Sequence, residues 1–140
     1  GCPIAMSRRI VGLRFLAILL HFLAVTGATA AFDAIVAESV AGDQGTAALE
    51  SSLTICFALH YVGFVIELVG FLGVLSMTSA SISSISIGLH SAGALLTYVA
   101  ATSPWTAIGL WRVYFGCSLL PTVQEMVNAL SVLGLKQKRY

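Results

Sequence analysis

Read from its residues alone, the chain is an all-α integral membrane protein, a four-helix bundle with both termini cytoplasmic. Three features say so: an apolar composition, four long apolar stretches, and the placement of a few basic residues. Of 140 residues, 58% are hydrophobic and 9% are charged, and the mean hydropathy is +0.95. Soluble domains carry roughly a quarter charged residues. Seven Lys/Arg and six Asp/Glu are too few to solvate a globule of this size. The composition excludes a disordered chain, a disulfide-stapled secreted domain and a nucleic-acid binder with a basic stripe. It also argues against a soluble enzyme. The length fits a single domain over residues 1–140, and its solvent is lipid.

A membrane-spanning helix needs about 17–25 mostly apolar residues. The stretches that qualify are residues 15–32, 53–75, 84–101 and 107–133. The first connection, 33–52, holds Asp33, Glu38, Asp43 and Glu50 and no basic residue. The second is a hydroxyl-rich turn around Ser76, Thr78, Ser79, Ser81 and Ser83, with Ser83 or Ser84 as the expected N-cap of the third span. The third, 102–106, is a tight turn with Pro104 and Trp105. Cys56 and Cys117 lie inside apolar runs and read as small packing residues. No C-x-x-C spacing marks a metal or redox centre.

Basic residues set the orientation. Arg8, Arg9 and Arg14 precede or open the first span, Lys136, Lys138 and Arg139 follow the fourth, and the loops between hold no Lys or Arg. Basic flanks stay in the cytoplasm, so both ends are inside and the number of spans is even. Trp105, Trp111 and Tyr114 then lie near the outer interface, with Arg112 snorkelling to the same level. Two other readings of the start carry less weight. Arg8-Arg9 with the apolar run and Ala28-Thr29-Ala30 resembles a cleavable signal peptide, but His21 and Thr26 are poor residues for one. Gly1-Cys2 resembles an acylation site, with Ala5 where Ser or Thr is usual.

Charged side chains in hydrocarbon are costly, by at least about 2.5–3.5 kcal/mol at mid-helix. The spans nevertheless hold Glu67 and Glu125, with His21, His60 and His90. At about 1.5 Å per residue, Glu67 and Glu125 lie ~12 Å from the inner ends of their spans, and His21 and His90 ~9 Å from theirs. Steps of three, four and seven from each give small or polar residues: His60, Gly63 and Gly70 around Glu67; Ser118, Pro121, Thr122 and Asn128 around Glu125; Ser86, Gly93 and Thr97 around His90; Ala17, Ala24 and Ala28 around His21. Such stripes suit close helix packing in lipid. The expectation is a bundle interior in which Glu67, His90 and Glu125 face one another. At least one carboxylate is then protonated or bonded to an imidazole, because two bare carboxylates repel strongly in a low-dielectric interior. Pro121 removes the backbone bond to the Cys117 carbonyl and predicts a bend there.

Two carboxylates and two imidazoles can glue helices together, relay protons or bind a metal. Interhelical glue is the preferred reading, since no Glu-x-x-His dimetal signature is present. Catalytic and cofactor residues are not expected. The structural or interaction candidates are Glu67, His90, Glu125, His21 and Pro121.

At these residues the chain resembles a known family. The run Glu67-Leu68-Val69-Gly70-Phe71-Leu72, continuing to Ser76-Met77, is similar to the second span of the transmembrane protein 107 family, small ciliary tetraspan proteins. In order follow Ile85-Ser86-Ile87-Gly88-Leu89-His90, Cys117-Ser118, Leu120-Pro121, Glu125-Met126, and Gly134-Leu135-Lys136 with Lys138. Arg14-Phe15-Leu16 followed by His21 resembles the first span. The resemblance is weakest in 33–52 and 102–111. It implies a place in the ciliary membrane at the transition zone, within the Meckel-syndrome protein module that includes the tectonics and other tetraspan proteins. It implies a non-enzymatic scaffold of the gate that controls ciliary membrane composition and supports cilium assembly, with no cofactor. The alternative from the residues is a small proton- or metal-dependent membrane protein using the Glu/His cluster.

Overall fold

The computed structural model describes residues 3–40, 46–72, 80–102 and 107–137. Among them the order is α1 (Pro3–Ala30), α2 (Phe32–Val40), α3 (Thr46–Leu72), α4 (Ala80–Thr102), α5 (Ala107–Val113), a π-helical segment (Tyr114–Leu119) and α6 (Leu120–Gln137). The last three follow one another without a break and form one column. Four helical columns therefore make an all-α membrane bundle. In α1, α3 and α4, the stretches Arg9–Ala30, Thr46–Leu72 and Ser83–Thr102 are long and apolar enough to cross a bilayer.

The columns meet where side chains are small. α1 packs most extensively against α4. At that contact a Cβ on Gly93 would lie 2.5 Å from His21 Cε1 and 2.9 Å from Cys117 Cβ, so α1, α4 and the π segment converge on a bare backbone. Two glycines seven residues apart bring α3 against α6. A Cβ on Gly63 would lie 2.9 Å from Thr122 Oγ1, and one on Gly70 2.7 Å from Glu125 Oε2. Small residues allow this approach in lipid, where apolar side chains gain little from leaving the solvent. Large side chains point outward instead. Leu13, Leu23, Val62, Val69, Leu95, Phe115 and Leu130 are all exposed.

One end of the bundle is closed by an apolar cluster of Val25, Ala28, Leu53, Cys56, Phe57, Ala100 and Leu110, joined by Ile35 and Val36 of α2. The connection expected over 33–52 is thus helical wherever it is described, in α2 up to Val40 and in α3 from Thr46. Ile35, Val36, Leu49 and Leu53 are buried while Asp33, Glu38 and Glu50 face out, an amphipathic pattern that holds α2 against α3 and starts α3 at Thr46. The α1–α2 join is tight. The Ala31 amide donates to the carbonyls of Gly27 and Ala28, both at 3.1 Å, and Ile35 N–H to Ala31 O at 3.0 Å.

Helix α4 begins at Ala80, so the N-cap expected at Ser83 or Ser84 lies inside the helix, with Ser83 buried. Tyr114 is only 8% exposed. It packs on His60, ring centroids 5.1 Å apart, and does not face the membrane interface. Trp111 is half-buried and donates its indole N–H to Ser52 Oγ at 2.9 Å. The expected turn residues Ser76, Thr78, Ser79, Pro104 and Trp105 lie outside the described residues.

Candidate functional site: a polar core inside the bundle

Glu67, His21 and His90 are fully buried, and Glu125, His60 and Arg14 are 2–3% exposed. Each comes from a helical stripe of small residues, and the helices deliver them to one interior. Glu67 of α3 and His90 of α4 meet through Oε2 and Nε2 at 2.5 Å. His90 Nδ1 lies 3.1 Å from His21 Nδ1 of α1; one of these nitrogens carries the proton and the other accepts it. Thr122 of α6 places Oγ1 3.1 Å from Glu67 Oε1 and donates to the Ser118 carbonyl at 2.8 Å. Four helices therefore share one hydrogen-bonded network.

Glu125 is not in that network. It forms a buried ion pair with Arg14, whose Nη2 approaches Oε1. The expected three-way meeting of Glu67, His90 and Glu125 thus divides into two pairs. The reason is axial: Glu125 sits beside Gly70, about 4.5 Å along α3 from Glu67. The two carboxylates avoid each other, and each has a donor from a different helix. Arg14, expected as a basic flank of the first span, is buried inside the bundle and supplies the partner of Glu125. Its sequence signal is spacing, since Arg14 precedes Ala17 by three and His21 by seven on the same stripe.

His60 donates Nδ1–H to the Cys56 carbonyl at 2.9 Å, which fixes its tautomer because a carbonyl only accepts. Its ring stands edge-on to His21 at 6.0 Å, and Phe64 covers His21 at 5.2 Å. Pro121 is buried two residues after the end of the π segment. In an α-helix its ring would crowd the Cys117 carbonyl; the wider π turn relieves that crowding, and such bulges accompany bends. Cys56 and Cys117 are free and buried. Several buried polar atoms have no partner, among them His21 Nε2, His60 Nε2 and Glu125 Oε2.

The chemistry open to this core is narrow. Among the described residues, no group of three or more His, Cys, Asp or Glu is arranged to hold a metal ion. The Glu67–His90–His21 file leads toward His60 and then meets the apolar cluster around Val25, Leu53 and Phe57. A proton path would need polar groups or water across that layer. What the geometry does supply is cross-linking of all four columns.

The fold and its core define a small all-α membrane protein whose helices are tied by buried polar pairs. The family model TMEM107, described as a transmembrane protein, matches residues 10–129, and the chain belongs to that family. It is 36% identical over 77 residues to transmembrane protein 107 of Homo sapiens, covering 55% of each chain. The Mus musculus protein is 31% identical over the same length, and that of Xenopus laevis 28% identical over 89 residues, 64% of each chain. The chain thus spans about half the length of the human and mouse relatives it matches. No solved structure matches it.

Proposed function

We propose that this protein is a non-enzymatic scaffold in the ciliary membrane at the transition zone. There it contributes to the gate that controls ciliary membrane composition and to cilium assembly. The observation that carries the non-enzymatic part is the pairing of the buried charged groups with one another, Glu67 with His90 and Glu125 with Arg14. Groups engaged in this way fix helix register and leave the outer helix faces as the working surface. The location follows from what the family resemblance implies, as do the partners: tectonics and tetraspan members of the Meckel-syndrome module. Both termini are cytoplasmic in this reading, in keeping with the basic flanks. The apolar cluster beyond His60 weighs against the proton-dependent alternative. Imaging a tagged copy in a ciliated cell tests the proposal. Restriction to a ring at the ciliary base is expected, and even distribution through other membranes would overturn it.

A further inference from the structure

The most extensive seam of the bundle, α1 against α4, is closed at its centre by two imidazoles. His21 and His90 are both fully buried, with their Nδ1 atoms 3.1 Å apart and their ring centroids 5.4 Å apart. A nitrogen–nitrogen contact of this kind holds one hydrogen, donated by one ring and accepted by the other. With a proton on both Nδ1 atoms, two N–H groups would point at each other and two cations would meet in a low-dielectric interior. We propose that the His21–His90 contact is an acid-sensitive latch on the α1–α4 seam, closed while one proton lies between the rings and opened when both rings become cations.

The charges around the pair lead to the same result. Glu67 of α3 meets His90 Nε2 at 2.5 Å and can balance one imidazolium. The other buried carboxylate, Glu125 of α6, is already paired with Arg14 of α1, while Asp33, Glu38 and Glu50 face out. His60 stands edge-on to His21 at 6.0 Å, with Cys56 and Tyr114 beside it, and Cys117 of the π segment lies across Gly93 from His21. None of these brings a carboxylate. A second positive charge therefore has no counter-charge among the described residues. His21 Nε2 offers no outlet either. It has no hydrogen-bond partner and packs on the bare backbone of Gly93, 2.7 Å from where a Cβ would stand. Moving α1 away from α4 relieves both problems, because water then reaches the rings. The open state binds more protons than the closed one, so the seam is closed at neutral pH and is lost as the pH falls. The latch needs no proton path across the membrane and does not depend on where the protein resides.

Spin-label distances in the whole purified protein, in phosphatidylcholine nanodiscs, test the latch. One label pair spans the seam, at Leu23→Cys on α1 and Leu95→Cys on α4. A control pair, Val62→Cys and Val127→Cys, spans α3 and α6. All four positions are exposed, Cys56 and Cys117 are buried, and Cys2→Ser removes a competing thiol. Each distance is read at about pH 7.5 and about pH 5, on either side of ordinary imidazole protonation. The α1–α4 distance should lengthen reversibly by about 2 Å or more, while the α3–α6 distance stays constant. His21→Asn keeps an amide donor for His90 Nδ1 and takes up no proton, so it should abolish the change. His60→Gln should preserve it. A seam distance that does not respond to acid overturns the proposal. So does a response that survives His21→Asn, one that disappears in His60→Gln, or one that both label pairs share, which is general acid unfolding.

Discussion

Arg14 and Glu125, 111 residues apart in sequence, form an ion pair buried between the first and last columns of the bundle. Closing α1 onto α6 in this way makes the register of the outermost spans depend on one charged contact. Removing one partner of a buried pair leaves an uncompensated charge, at a cost of about 3–5 kcal/mol. Arg14→Met should therefore lower the melting temperature in detergent sharply. The double variant Arg14→Met with Glu125→Met should recover most of the loss, because replacing a whole buried pair by apolar groups is often near neutral. A double variant as unstable as the single one would argue against simple pairing.

The Glu67–His90 contact predicts an asymmetry between its two ends. His90→Leu strands Glu67 and also takes the Nδ1 partner from His21, which should cost about 1–3 kcal/mol per unsatisfied group. Glu67→Gln keeps the hydrogen-bonding shape and should be the milder change. Thermal unfolding of the two variants side by side gives the order directly, and an inverted order contradicts the network.

Two glycines on α4 make a matched pair. Gly93→Ala puts a methyl 2.5 Å from His21 Cε1 and 2.9 Å from Cys117 Cβ, and overpacking of this kind costs about 1–3 kcal/mol. Gly88→Ala meets nothing within 4 Å and should be neutral or slightly stabilising, since alanine is the better helix former. Melting temperatures that fall for Gly93→Ala alone bear this out; equal behaviour does not.

Topology is open to a simple measurement. If both ends are cytoplasmic, as proposed from the basic flanks, glycosylation acceptors added at either terminus should remain unmodified, and one inserted after Glu38 should be modified. Modification of the C-terminus alone would require an odd number of spans, and modification of both ends an inverted bundle.

Much of the fold was legible because uninterrupted apolar runs fix helix length and because His21, Glu67, His90 and Glu125 each carry small neighbours at helical spacing. The missed features share a physical cause. Arg14 reads as a basic flank that opens an apolar run, and its burial becomes visible only once α6 supplies Glu125. Helix α2 was hidden by Asp33 and Glu38, although Ile35 and Val36 between them are the residues that pack. The early start of α4 at Ala80 left its serines inside a helix, where hydroxyls can bond to their own backbone and need no cap role. Pro121 announces an irregularity, and the structure shows its form: a π segment over Tyr114–Leu119 with Tyr114, Cys117 and Ser118 buried.

The central claim, that the polar core assembles a scaffold and performs no turnover, is tested most directly by exchanging Glu67 and His90. His90→Glu alone brings two carboxylates together, Glu67→His alone crowds imidazoles, and the double exchange restores an acid–imidazole contact in the reverse sense. The readout is the intensity of tagged protein at the ciliary base. The account predicts loss in each single variant and recovery in the exchange; a double variant that stays lost while remaining folded and abundant would contradict it.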